Sequence, residues 1–180
     1  MSRIGKKPIL IPPGVEVSIR DNVVTVKGPK GELSRILHSE ISADINDKTI
    51  VVSTAGVSKK SSALWGLSRS LIANMVEGVT NAFRKKLDFE GIGFRASIDG
   101  GALQMQLGFS HPVRIEPPEG IAFLVEKNVI TILGIDKEAV GNTAARIRRL
   151  KPVEPYKGKG IKYQGEIVKR KAGKKAVASA

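Results

Sequence analysis

An internal repeat constrains the fold of this chain more than any other feature of its sequence. Residues 119–134 resemble residues 13–28, which lie 106 positions earlier, with five identical residues and four exchanges between aliphatic residues. Internal similarity of this kind indicates duplication of a structural unit. We therefore predict an α+β fold with two homologous domains, each an antiparallel sheet packed against one helix. In this register, residues 15–28 and 121–134 form equivalent hairpins.

The pattern around the repeat predicts the elements of both domains. Aliphatic residues alternate with polar ones between Val15 and Val26, and turn residues interrupt them, as in antiparallel strands. Apolar residues then recur at helical spacing from Lys59 to about Phe83, and Ser58 is a suitable N-cap. A second helical pattern ends at Leu150. We predict an N-terminal domain of residues 1–82 and a C-terminal domain of residues 83–180.

Composition excludes several classes of function. The chain has no cysteine and only two histidines, so we expect no metal, no cofactor and no catalytic residues. Gly91-Ile-Gly93 lacks the third glycine of a dinucleotide-binding loop, and the lysines near the C-terminus lack the spacing of a phosphate-binding loop of NTPases. No apolar run is long enough to span a membrane, and the N-terminus lacks the apolar core of a secretory signal. We therefore expect a cytoplasmic protein that is not an enzyme and has no membrane partner.

Positive charge is concentrated in one part of the chain. Residues 146–175 contain twelve Lys or Arg against Glu154 and Glu166, which places +10 of the net charge of +13 in thirty residues. A protein that is charged only for solubility would spread its lysines along the chain. The concentration predicts a polyanionic partner for this segment.

The centre of the charged segment is Pro152–Tyr163, where lysines alternate with glycines between two tyrosines. Lysines suit phosphates, glycines permit close approach of the backbone or a positive φ, and tyrosine rings can stack on bases. The pattern is typical of a clamp for a phosphate backbone, and a solvated basic linker is an equal alternative. The candidate contacts in this segment are Tyr156, Lys157, Gly158, Lys159, Gly160, Lys162 and Tyr163.

Basic residues on both sides extend this candidate surface. Arg146 and Arg149 lie on one face of the second helix, away from its apolar stripe, and Lys151 follows them. A basic C-terminal tail continues the surface. A short basic arm at the N-terminus is a further candidate, with a mobile terminus as its alternative. The tail contributes Lys169, Arg170, Lys171, Lys174 and Lys175, and the arm contributes Arg3, Lys6 and Lys7.

The same residues resemble a known family. Pro155–Tyr163 is similar to the signature of the ribosomal protein L-six family of the large ribosomal subunit, and the similarity extends over nearly the whole chain. It includes Ser2–Pro8, Gly91–Ala96, Leu107–Pro112, Asn74-Met75 and Arg170–Lys175. The resemblance to the bacterial form implies binding to large-subunit rRNA, chiefly through the C-terminal domain. It also implies neighbouring ribosomal proteins and a place near the sarcin–ricin loop and stalk base, where elongation factors dock.

The sequence thus predicts a structural protein of the large ribosomal subunit that neutralises rRNA phosphates. Two other functions would use the same charges. A phosphate-handling enzyme would use the glycine-lysine loop, although the chain offers no evident acid, base or metal residues for it. A DNA-architectural protein would bind duplex DNA as well as structured rRNA in the same salt.

Overall fold

The computed structural model describes residues 2–56 and 58–173 of the 180-residue chain. The chain divides into two units, which we call the first and second domains. The first consists of Met1–Phe83 with Gly134–Lys137, and the second of Arg84–Leu133 with Glu138–Ala180. Each domain has one long helix and two β-sheets. The predicted α+β class and the duplicated architecture are confirmed, with two sheets in each domain where one was expected.

The first domain packs one helix against both of its sheets. Strands β2-β3-β4 form an antiparallel meander, and β1-β6-β5 form the other sheet. The hydroxyl of Ser58 accepts a hydrogen bond of 3.1 Å from the backbone N–H of Ser61, so the predicted helix cap is confirmed. Val24, Ile50 and Ile72 are fully buried between the helix and the strands. The elements are β1 (Ile9–Leu10), β2 (Glu16–Arg20), β3 (Val23–Gly28), β4 (Gly31–Ile36), β5 (Ile41–Asn46), β6 (Thr49–Thr54) and α1 (Lys59–Asn81).

The second domain repeats this arrangement and adds a strand. Its sheets have the strand orders β10-β9-β8 and β11-β12-β7-β13. Leu87, Ile132 and Ile147 are fully buried in its core. The elements are β7 (Phe83–Glu90), β8 (Arg95–Asp99), β9 (Ala102–Gln106), β10 (Val113–Ile115), β11 (Ile121–Glu126), β12 (Val129–Gly134), α2 (Lys137–Leu150) and β13 (Gly160–Tyr163).

The predicted register of the repeat is wrong, although the duplication is real. Hairpin β2–β3 lies in the meander and continues into strand β4, whereas hairpin β11–β12 lies beside β7 and leads into helix α2. The counterpart of β11–β12 is β5–β6, which lies beside β1 and leads into α1. Ile41 opens β5 and Ile121 opens β11, so the structural repeat is offset by 80 residues and not by 106.

The hairpin turns support the corrected register. The β5–β6 turn has a positive φ at Asp47 (50°), and the β11–β12 turn has one at the matching residue, Lys127 (53°). The β2–β3 turn instead has positive φ at both Asp21 and Asn22 (46° and 64°), which is a different turn type. The match at 106 positions arises because all three hairpins alternate aliphatic and polar residues around a two-residue turn.

No helix in the described part of the chain is both long enough and apolar enough to cross a membrane. In the same residues, no group of three or more histidine or acidic side chains is placed to hold a metal ion.

Candidate nucleic-acid interface

The centre of the predicted clamp is a folded loop, and its last four residues form a strand. We call residues 154–159 the basic loop. The N–H of Glu154 donates to the carbonyl of Lys159 at 2.8 Å, and the N–H of Gly158 donates back to the carbonyl of Glu154 at 3.0 Å. Gly160–Tyr163 then forms β13 along the edge of β7. This segment is therefore a hydrogen-bonded part of the domain and not an irregular linker.

The two glycines of the segment are required by the protein itself. Both have positive φ, 74° at Gly158 and 140° at Gly160, and both are buried. A Cβ on Gly160 would lie 2.6 Å from the carbonyl oxygen of Pro152 and from the Cα of Val153. A Cβ on Gly158 would lie 2.8 Å from the guanidinium of Arg170. The close contacts at these glycines are with atoms of this chain, and a close approach of the backbone to a ligand stays a prediction.

The lysines and tyrosines of the segment differ in accessibility. Lys157 and Tyr156 are exposed, the latter by 54%, while Lys159 and Lys162 are partly buried. Tyr163 is also partly buried. Its ring lies 5.0 Å from the ammonium of Lys85 and 5.3 Å from the guanidinium of Arg148. Tyr156 thus offers the more open ring for stacking on a base, since two cations of the chain already face Tyr163.

The segment after β13 is fixed to helix α2, and we call residues 164–173 the basic tail. The guanidinium of Arg148 donates to both carboxylate oxygens of Glu166, with Nε at 3.2 Å from Oε2. The backbone N–H of Tyr163 donates to Oε2 at 3.0 Å. The hydrogen bonds from Arg148 and then from Tyr163 lower the pKa of the Glu166 carboxyl. Arg148 is therefore partly neutralised inside the domain.

The basic tail also returns to the basic loop. The N–H of Lys171 donates to the carbonyl of Pro155 at 2.9 Å, and the guanidinium of Arg170 covers Gly158. Lys169, Arg170 and Lys171 are all exposed. The structure thus brings the loop and the tail together as one charged surface. The predicted contacts Lys174 and Lys175 lie outside the described residues.

Helix α2 contributes the cations that the sequence placed on its polar face. Arg146 and Arg149 are exposed, as expected for the side opposite the buried Val140, Ala144 and Ile147. The ammonium of Lys151 lies 4.8 Å from the ring of Phe109, which holds this side chain against the domain. We give the name basic surface to a set of cations on the end of α2, the basic loop, β13 and the basic tail: Arg146, Arg149, Lys151, Lys157, Lys159, Lys162, Lys169, Arg170 and Lys171.

The N-terminal arm belongs to the first domain and is docked on helix α1. A Cβ on Gly5 would lie 2.6 Å from the ring of Trp65, whose indole N–H donates to the carbonyl of Val52 at 2.7 Å. Arg69 donates to the carbonyls of Lys7 and Pro8. These contacts fix the backbone of the arm.

The side chains of the arm that were predicted to meet phosphate, Arg3, Lys6 and Lys7, are exposed.

The sequence did not predict the contributions of three residues to the site. These are Lys85, which faces the ring of Tyr163, and the ion pair of Arg148 and Glu166. Each acts through a contact between residues 18 or more positions apart, which no local pattern records. The isolated glutamate in a basic tail was a usable signal, because a lone acid among cations is a natural ion-pair partner.

Comparison with known proteins identifies the family. The model of the family "Ribosomal protein L6" matches residues 11–82 and 90–164, which are two segments that correspond to the two domains. A large ribosomal subunit protein uL6 of Synechococcus sp. is 56% identical over 97% of this chain and 98% of its own length. The proteins of the same name from Syntrophomonas wolfei and, as uL6c, from Porphyra purpurea are 55% and 53% identical over 97% of this chain, and 98% and 97% of their own lengths.

The chain belongs to the ribosomal protein L6 family. It is a structural, non-enzymatic constituent of the large ribosomal subunit in the cytoplasm, with rRNA and ribosomal proteins as partners. The predicted family, the non-enzymatic function and the ribosomal localisation are confirmed, and the phosphate-handling enzyme is excluded.

Proposed function

We propose that the basic surface of the second domain is the principal rRNA-binding site of the protein. The observation that carries this proposal is that the basic loop and the basic tail are hydrogen-bonded to each other. Their exposed cations therefore lie on an ordered backbone. Cations held in place lose less conformational entropy on binding than cations on a disordered segment. The residues that contact rRNA are Arg146, Arg149, Lys151, Tyr156, Lys157, Lys159, Lys162, Tyr163, Lys169, Arg170 and Lys171, with Lys174 and Lys175 beyond the described residues.

Within this site the two glycines have a supporting role. Gly158 and Gly160 set the path of the backbone so that Lys157, Lys159 and Arg170 take their places. Lysine binds a phosphate as a point charge, and arginine can present two parallel N–H groups to it. The arm residues Arg3, Lys6 and Lys7 are a second, smaller set of phosphate contacts.

We propose that the two predicted domains, residues 1–82 and 83–180, differ in function. The second domain binds rRNA through the basic surface, and the first adds the smaller set of contacts on its arm. The bound rRNA lies near the sarcin–ricin loop and the stalk base, in the neighbourhood of docked elongation factors. The family resemblance supports this placement, and the charge of the second domain suits a site where RNA strands converge.

Hydroxyl-radical footprinting of large-subunit rRNA tests both the surface and the placement. The full-length protein should protect the sarcin–ricin loop and stalk base, and the variant Lys157→Gln/Lys159→Gln should lose most of that protection. The matched control is Lys27→Gln/Lys30→Gln, which removes the same charge from the first domain and should leave the footprint intact. Protection at other helices would refute the placement. Equal competition by duplex DNA in the same salt would show that the basic surface binds phosphates without preferring rRNA.

A further inference from the structure

The second domain contains a polar pocket outside the basic surface, with a volume of about 380 Å³. It opens between the β7–β8 loop, the paired strands β8 and β9, and the β11–β12 turn. Arg95 and Ser97 on β8 pair with Gln106 and Gln104 on β9, so these four side chains share one face of the sheet. The residues that define the pocket are Phe94, Arg95, Gln104, Gln106, Lys127 and Asn128.

The first domain has a concavity at the corresponding place, with a different lining. A pocket of about 480 Å³ lies between the β1–β2 connection and the β5–β6 turn, which are the counterparts of the β7–β8 loop and the β11–β12 turn. It is lined mainly by proline and aliphatic side chains, including Pro13, Val15 and Val17, and its turn carries Asp47 where the second domain has Lys127. The two domains thus have similar concavities. The one in the first domain carries one acid and one cation, Asp47 and Lys48, whereas the one in the second domain carries two cations and no acid.

The chemistry of the polar pocket suits a nucleotide. Arg95 and Lys127 supply two exposed cations, and none of the side chains that line the pocket is acidic. Gln104, Gln106 and Asn128 supply amides, each with both donor and acceptor groups, as recognition of base edges requires.

An aromatic ring completes this set. The ring of Phe94 is partly buried and packs on Gly91, where a Cβ would lie 2.7 Å from the ring. An aromatic ring held in this way can stack on an unpaired base.

The pocket adjoins the basic surface within the same domain. Gly160, the residue that follows the basic loop, pairs with Glu90, the last residue of β7 before the loop that carries Phe94. Phe89 lines the pocket, pairs with Ile161 of β13, and donates its N–H to the carbonyl of Asn128 at 3.0 Å. The basic loop and the pocket therefore lie at the same end of the sheet.

We propose that this pocket binds one unpaired nucleotide of the large-subunit rRNA that the basic surface holds. Phe94 stacks on the base, the amides of Gln104, Gln106 and Asn128 contact its edge, and Arg95 and Lys127 contact the flanking phosphates. The pocket rests on the proposed function of the second domain, to which it adds a contact with a base. It gives the protein a means of recognising RNA structure that the lysines of the basic loop do not have, because phosphate contacts carry no sequence information.

The test measures binding of full-length variants to large-subunit rRNA over a range of salt concentrations. Arg95→Gln/Lys127→Asn removes two cations, and asparagine tolerates the positive φ of residue 127. This variant should bind about tenfold more weakly and make the slope of log K against log salt less negative by about 1.4, the value for two contacts to single-stranded RNA. Phe94→Leu should weaken binding at least about fivefold with an unchanged slope, because stacking is not screened by salt.

A control and a reference variant separate the possible outcomes. Lys48→Asn removes one charge from the matching turn of the first domain and should change affinity less than about twofold. Lys157→Gln/Lys159→Gln reports on the basic loop. If the loop variant is weakened while all pocket variants bind like the wild type, the pocket is refuted and the proposed function stands. If the loop variant also binds like the wild type, the proposed function fails.

Two further outcomes would refute the nucleotide site. A wild-type affinity of Phe94→Leu would show that no base stacks there, and an equal loss in Lys48→Asn would show that only long-range charge matters. The thermal unfolding of each variant is measured alongside its binding, to show that the variant is folded. Lys127→Asn alone decides the phosphate contact if another substitution unfolds the domain, since Lys127 is exposed.

Discussion

The two domains share a three-stranded sheet but differ at its edge. In the first domain the sheet β1-β6-β5 ends at β1, a strand of two residues. In the second domain the equivalent strand β7 has eight residues, and β13 pairs along it. The basic loop leads directly into this added strand. The comparison shows that the basic loop leads into a strand that has no counterpart in the described part of the first domain.

The largest expected effect concerns the glycine at the start of the added strand. Gly160→Ala should destabilise the protein by about 3 kcal/mol or more, since its Cβ would meet backbone atoms of Pro152 and Val153 at a positive φ. Gly14→Ala is the matched control in the first domain, where φ is +84° and no atom lies within 4 Å of the added Cβ. Strain alone should cost about 1 kcal/mol there. Urea denaturation measures both, and equal losses would contradict the close packing at Gly160.

An intermediate effect is expected when equal charge is removed from each domain. Lys157→Gln/Lys159→Gln/Lys171→Gln should make the slope of log K against log salt less negative by about 2 to 2.7 in rRNA binding, because each neutralised phosphate contributes about −0.7 to −0.9 to that slope. The control is the arm variant Arg3→Gln/Lys6→Gln/Lys7→Gln, for which we expect less than half of that change. Equal reductions would mean that the arm and the basic surface contribute alike.

The smallest effect concerns the ion pair that fixes the basic tail. Because the pKa of Glu166 is lowered in the folded state, its contribution to stability is complete above the usual glutamate pKa of 4.5 and is lost as pH falls through the folded pKa. Glu166→Gln should therefore be less stable than the wild type at pH 7, by about 1 kcal/mol or less for a partly exposed pair. The difference should shrink as pH falls toward 3 in thermal unfolding, and a constant difference would exclude the ion pair as its cause.

Local pattern predicted much of the fold. Alternation located the strands of the meander, helical spacing located α1, and Ser58 was recognised as its cap. The register of the duplication was not predictable in this way. Asp47 and Lys127 occupy matching turns but share no chemistry, whereas Asn22 and Asn128 are identical residues in hairpins that are not equivalent. Backbone topology persisted after the side chains diverged, so residue identity pointed to the wrong partner.

The candidate site was predicted in its charges but not in its architecture. Lysines and arginines can be counted in a sequence, and their exposure is expected because burying a charge is costly. Gly160 is required because the backbone of Pro152 and Val153 packs against it across a loop. Arg148 fixes the basic tail through its hydrogen bonds to Glu166, 18 residues away. Such contacts exist only after folding. The added strand β13 was missed because Gly160 and the prolines before it disfavour a strand locally. Only its pairing with β7, which forms on folding, makes it a strand.

The pairing of β13 with β7 has a consequence for how the protein can be shortened. An uncovered strand edge presents a row of free N–H and C=O groups that pair readily with another chain. A protein cut before Gly160 would expose the edge of β7 from Leu87 to Glu90, the four residues that pair with β13, two of which, Leu87 and Phe89, are apolar. Such a fragment should self-associate, and its failure to bind RNA would then reflect aggregation. Substitutions of single charges, which leave β13 in place, keep the two effects apart.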